Sequence, residues 1–241
     1  MARAQTFPFS VGDFSNNRVK LVPWNPDKHC ETFYHLSSPH PEMYAYMPMV
    51  PPTSAEEFKS WFYNDSTDEI LSFANPQSFT FAIIDKTRPP SPEDAEGELA
   101  GTVSFIRTSD IHLKTEIGFI AILPQYQRSH VATNAVGLAL QLALEAPEKG
   151  GLGLRRVHWS ANSMNLASAK LAMRMGFQKI GTIQWDLRLV KGKTHGKVGN
   201  GRELPPGSDP EDLWRDTLQL SLGWDQWEDG VRKMVAQVME R

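Results

Sequence analysis

The stretch T-E-I-G-F-I-A-I-L-P-Q-Y-Q-R-S-H-V-A-T, residues 115–133, limits what this chain can fold into more than any other part of it. Residues 116–123 form an apolar strand that a proline stops, and a short basic turn then opens a long, almost wholly apolar helix over 131–146. An apolar strand feeding a buried helix predicts a strand-helix-strand crossover, and hence helices laid on a sheet. The same junction aims several free backbone N–H groups at one spot, backed by the positive end of the helix macrodipole. It is therefore expected to receive phosphate oxygens.

The remaining elements fit around that crossover. Residues 18–24 alternate as a first strand, which Pro23 ends or places at an edge. Asp27 is expected to cap a helix running through residues 31–36. A Pro- and Met-rich connection follows, and Thr53 or Ser54 with Glu56 or Glu57 resembles a capping box for a second short helix. Residues 78–85 and 99–107 read as a hairpin with a long polar loop. Residues 155–161 give a further strand, and a helix over 165–175 is closed by Gly176 in the position of a left-handed C-cap. Residues 177–190 and 216–222 supply the last strands, and Val231, Met234, Val235 and Val238 recur at helical spacing in a final helix. Residues 191–212 hold five Gly and three Pro and read as a flexible loop whose Lys191, Lys193, Lys197 and Arg202 are solubilising charges.

Composition excludes several function classes. A net charge of −3 gives no overall field that draws the protein to nucleic acid or anionic lipid. Cys30 is the single cysteine, so neither an intramolecular disulfide nor a cysteine zinc site is expected, and a reducing cytoplasmic setting fits best. The first residues contain no apolar run of the kind a secretory signal needs. The 131–146 helix is interrupted by Asn134 and Gln141 and is shorter than the roughly 20 residues a bilayer demands, so no membrane span is expected. G-K-T at 192–194 lacks the upstream glycine of a phosphate-binding P-loop.

With these elements in place, the chain resembles the GNAT N-acetyltransferase superfamily, and within it the RimJ/RimL-like branch that acetylates protein N-termini and small amines. The likeness covers residues 18–227 and is carried chiefly by 115–181. It implies an α/β (α+β) GNAT fold with a mixed, mostly antiparallel sheet of about seven strands flanked by helices. Residues 18–241 would form one such domain, after an extension at 1–17. In this family the pyrophosphate turn reads Gln or Arg, two residues, Gly, one residue, then Gly or Ala. Here it is Gln127, Arg128, Ser129, His130, Val131, Ala132, so His130 replaces the first glycine. Either the turn keeps its course with the imidazole pointing outward, or the phosphate contacts change. The first is expected, since only a positive φ strictly requires glycine. Asn165, Ser168, Gly176 and Phe177 match a second family element, by which Asn165 holds the pantetheine arm and Ser168 lies near the coenzyme sulfur. Ala172 stands where many relatives carry a tyrosine acid.

The resemblance further implies that acetyl-CoA is the cosubstrate and that no metal is needed. Ile120, Ala121 and Ile122 would bond the pantetheine amides with main-chain groups, one N–H polarising the thioester carbonyl. Residues 127–133, ending at Thr133, would take the pyrophosphate. Glu116 is the candidate base for deprotonating a high-pKa amine; its plainer reading is a strand carboxylate paired with Lys114 or Arg107. Tyr44, Tyr46 and Met47 are candidates for the acceptor pocket, or else core packing. The acceptor is expected to be a small-molecule or peptide amine, and the protein a monomer or homodimer. The rival readings are transfer of another acyl group, such as succinyl, and a non-catalytic acyl-CoA-binding or interaction protein.

Overall fold

In the computed structural model, which describes residues 6–241, the apolar strands gather into one sheet. They are β1 (Phe14–Ser15), β2 (Val19–Pro23), β3 (Phe79–Asp85), β4 (Glu98–Ser109), β5 (Lys114–Ile122), β6 (Arg156–Asn162), β7 (Gln178–Leu189) and β8 (Leu213–Gly223). Their order is β1-β2-β3-β4-β5-β6-β8-β7, with only β5 and β6 parallel. The sheet is mixed and mostly antiparallel. Its eight strands among the described residues exceed the expected seven because Phe14–Ser15, inside the expected extension, pairs with β2. The first five residues of that extension lie outside the described ones.

The helices are α1 (Pro26–Ser37), α2 (Ala55–Tyr63), α3 (Val131–Leu144), α4 (Leu166–Arg174), a short α5 (Trp224–Gln226) and α6 (Arg232–Met239). α3 links the parallel strands, and twelve of its fourteen residues are buried, as an all-round apolar helix demands. α1 and α2 close over an aromatic cluster in which Trp24 meets Phe33 edge-on at 5.9 Å and Phe33 stacks on Phe58 at 5.1 Å. Among the described residues no helix is long and apolar enough to cross a membrane.

Local chemistry explains most boundaries, with three corrections. α1 is capped by Asn25, whose Oδ1 accepts from the Asp27 N–H at 3.0 Å, and Asp27 sits inside the first turn rather than capping it. For α2 the cap is Ser54, which accepts from Glu57 N at 3.0 Å, while the Glu57 carboxylate returns to Thr53 N at 2.7 Å. The final helix does not run straight through residue 230, because Gly230 adopts φ +121 and kinks the chain before α6. The third correction concerns residues 191–212. Lys197, expected to be a solvated charge, is buried and donates from Nζ to the carbonyls of Tyr44, at 2.8 Å, and Met49. Val198 N donates to Ala45 O at 2.9 Å, so the middle of this loop is fastened to the 41–50 connection.

Candidate active site

The site begins where β5 and β6 part. They pair only over Lys114↔Arg156, Thr115↔Val157 and Glu116↔His158, and beyond Glu116 β5 has no strand partner on that side among the described residues. The register between β4 and β5 slips by one residue between Thr102↔Ala121 and Ser104↔Gly118. Phe119 absorbs the slip at φ +48, an uncommon conformation for a side-chain-bearing residue in a strand, and its carbonyl accepts from Thr102 Oγ1 at 3.1 Å. The bulge bends β5 away from β6 and opens a cleft of about 940 Å³. Ile120, Ala121 and Ile122 line it.

At the far end of β5 the chain turns into α3. Arg128 adopts φ +58, while His130 lies in the right-handed region at φ −66 and so needs no glycine. Among the described residues the backbone N–H groups of Arg128, Ser129, His130, Ala132 and Thr133 have no hydrogen-bond partner. Five unsatisfied donors at a helix start form an anion cradle. Two candidates are otherwise engaged. The Val131 N–H is accepted by Ser129 Oγ at 3.2 Å, and Gln127 Nε2 donates to the Ile122 carbonyl at 3.0 Å. The imidazole of His130 does not point outward. Its Nε2 lies 3.1 Å from Oδ1 of the buried Asp85 at the end of β3.

α4 supplies the other wall. Asn165 caps it, Oδ1 accepting from Ser168 N at 3.1 Å, and its Nδ2 has no partner among the described residues. Ser168 Oγ accepts from Trp159 Nε1 at 3.0 Å, which fixes the hydroxyl and leaves its proton to donate into the cleft. Glu116 is buried on β5 and binds Arg107 Nη1 through Oε2 at 2.8 Å, leaving Oε1 beside Gly118. Tyr46 and Met47 line the cleft. Tyr44 does not. It is buried in the core, and its main-chain carbonyl holds Lys197. His130, Val131 and Thr133 also lie outside the lining.

Residues 18–178 match the family described as Acetyltransferase (GNAT) domain. The chain belongs to the GNAT acetyltransferases. It is 32% identical over 142 residues to an uncharacterized N-acetyltransferase, YoaA, of Bacillus subtilis (strain 168), an overlap of 54% of this chain and 77% of that one. A GCN5-related N-acetyltransferase from Brucella melitensis shares its fold at 23% identity and TM-score 0.70, over 96% of this chain and 86% of the other. Mycobacterium smegmatis RimJ, solved with CoA-disulfide, does so at 16% identity and TM-score 0.63, over 98% and 97%.

This GNAT chain carries cleft residues that its motifs do not announce. Period-2 alternation puts His158, Ser160 and Asn162 of β6 on the face opposite Trp159, and Arg215, Thr217 and Gln219 of β8 continue that polar wall. Ser160↔Gln219 and Asn162↔Thr217 are register neighbours. Burial, with Arg156 and Lys114 adding repulsion, pushes the His158 pKa down to about 4, so its imidazole is neutral at pH 7. The alternation of polar residues in R-V-H-W-S-A-N was the available signal.

Proposed function

We propose that this protein transfers an acetyl group from acetyl-CoA to a primary amine by direct attack within a ternary complex. The observation that carries this reading is the parting of β5 from β6 beside five unpartnered N–H groups at the start of α3. A strand edge and a helix start, both with main-chain groups to spare, fit a long ligand that combines amides with a diphosphate. When bound, acetyl-CoA supplies an activated carbonyl carbon, to which the amine nitrogen bonds as the C–S bond breaks.

Arg128, Ser129 and Ala132 would hold the diphosphate through their N–H groups, and Asn165 Nδ2 with the 120–122 main chain would hold the pantetheine arm. An N–H in that β5 segment would polarise the carbonyl. Glu116 Oε1 takes a proton from the incoming ammonium, since only the neutral amine has a lone pair to attack with. The Ser168 hydroxyl hydrogen-bonds the departing sulfur. The proton lost by the nitrogen as the amide forms balances the thiolate charge. Tyr46 and Met47 would flank the acceptor.

Thiol release from acetyl-CoA across a panel of amines, run beside calorimetric titration of the coenzyme, tests the reading. Binding with amine-dependent thiol release is expected. Binding without release would leave a non-catalytic acyl-CoA carrier, and no binding heat from well-folded protein would remove the reading altogether.

A further inference from the structure

The cleft is strongly cationic in a protein whose net charge is −3. Arg107, Lys114, Arg128, Arg156, Arg174 and Arg215 line it, against only Glu116 and Asp186. Arg128 and Arg174 belong to the α3 end, where Arg174 Nη2 donates to Thr133 Oγ1 at 3.2 Å. The other four cations come from four different strands at the Glu116 end. Arg107 is paired with Glu116 there, but the side chains of Lys114, Arg156 and Arg215 have no hydrogen bond or ion pair among the described residues.

Arg215 is the informative one. It is only 8% exposed, and its Nε is buried without a partner. Two residues along the same strand face, Thr217 is 1% exposed and its Oγ1 is likewise buried and unpartnered. Buried polar groups are ordinarily satisfied, and a buried guanidinium ordinarily meets an anion. Glu116 and Asp186 are the carboxylates whose fields reach Arg215, while Arg107 opposes them, and burial draws its pKa below the usual guanidinium value. Neither carboxylate bonds it. A planar fork of N–H donors next to a hydroxyl matches the two oxygens of a carboxylate.

We infer that the acceptor amine carries a carboxylate, which Arg215 and Thr217 bind while Glu116 faces the amine. The inference rests on the acetyl-transfer reading and narrows its acceptor to amino-acid-like molecules, with a polyamine disfavoured by the surrounding positive charge.

The test is thiol release from acetyl-CoA with amines matched except for the carboxylate: α-, β- and γ-amino acids, their amides, their decarboxylated amines, and spermidine. The best carboxylate-bearing amine is expected to exceed its own amide in kcat/KM by about tenfold or more. Arg215→Gln should abolish that ratio while leaving the KM for acetyl-CoA unchanged, and Arg215→Lys should restore part of it. Should Arg215→Gln not fold, Thr217→Val and Arg215→Lys read the same ratio, and each should lower it. Preference for amides or spermidine overturns the inference, as does a ratio that survives the substitutions or an effect confined to the KM for acetyl-CoA. A preference for succinyl-CoA that Arg215→Gln removes also overturns it, by assigning the carboxylate to the acyl group. If acetyl-CoA binds but no amine is acetylated, the transfer reading fails separately. In that event glutarate titrated into the CoA-loaded protein decides: heat that Arg215→Gln removes sustains an anion site, and absence of heat overturns it.

Discussion

In the proposed transfer Glu116 and Ser168 serve opposite ends of the bond exchange, so their substitution should leave different kinetic marks. Glu116→Gln keeps the side-chain volume and removes the proton acceptor. With an amine of pKa well above 7 it should lower kcat by about 10²–10⁴-fold, with the calorimetric Kd for acetyl-CoA unchanged. Undiminished turnover at neutral pH would assign the proton to another group. Ser168→Ala removes one hydrogen bond and should cost only about threefold to tenfold in kcat, since a neutral hydrogen bond contributes on the order of 1 kcal/mol. At this scale the sequence showed what sits in continuous patterns. Asn165, Ser168, Gly176 and Phe177 lie within thirteen residues of one another. The cations around Glu116 come from β4, β5, β6 and β8, a grouping that no local spacing encodes. His130 was misjudged for a related reason: its partner Asp85 is 45 positions away.

Among the elements, α4 ends where its sequence says it should. Gly176 has φ +91, and a β-carbon there would approach Val231 Cγ1 to 2.4 Å. Gly176→Ala is therefore expected to destabilise the fold by about 1–3 kcal/mol, measured by denaturant titration, and to loosen the packing of α4 against the chain before α6. Glycine-rich composition misled at 191–212, where Lys197 is drawn inward to carbonyls that the turn 41–50 leaves open. Burial pulls its pKa from 10.5 to about 8, so the folded state holds this proton less tightly than the unfolded chain does. The penalty is complete below pH 8 and vanishes as the pH rises through 10.5. Stability of the native protein relative to Lys197→Met should accordingly climb by on the order of 2 kcal/mol across that window. A difference independent of pH would put Nζ back in water. Positive φ at Phe119 and Arg128 was equally illegible, because neither residue type advertises it.

For the whole molecule, the strand-helix-strand crossover was readable from residues 115–161, since one apolar helix between two apolar strands has few ways to bury itself. The insertion of β8 between β6 and β7 was not, because it depends on pairing across more than fifty residues. That insertion brings Arg215 and Thr217 beside the crossover. In the proposed binding mode the coenzyme would span β5, α3 and α4 and tie the crossover together, so acetyl-CoA at about 100 times its Kd should add about 2.7 kcal/mol and raise Tm by about 5–10 °C. A melting curve indifferent to saturating coenzyme would contradict that span. The bulge at Phe119 has one more consequence. Because Trp159 with Ser168 stands on one side of β6 and His158 with Ser160 on the other, the opening works as a slot through a partition. In the proposed transfer, the donor and the acceptor would then reach the gap from opposite faces of the sheet, and each product would have its own way out.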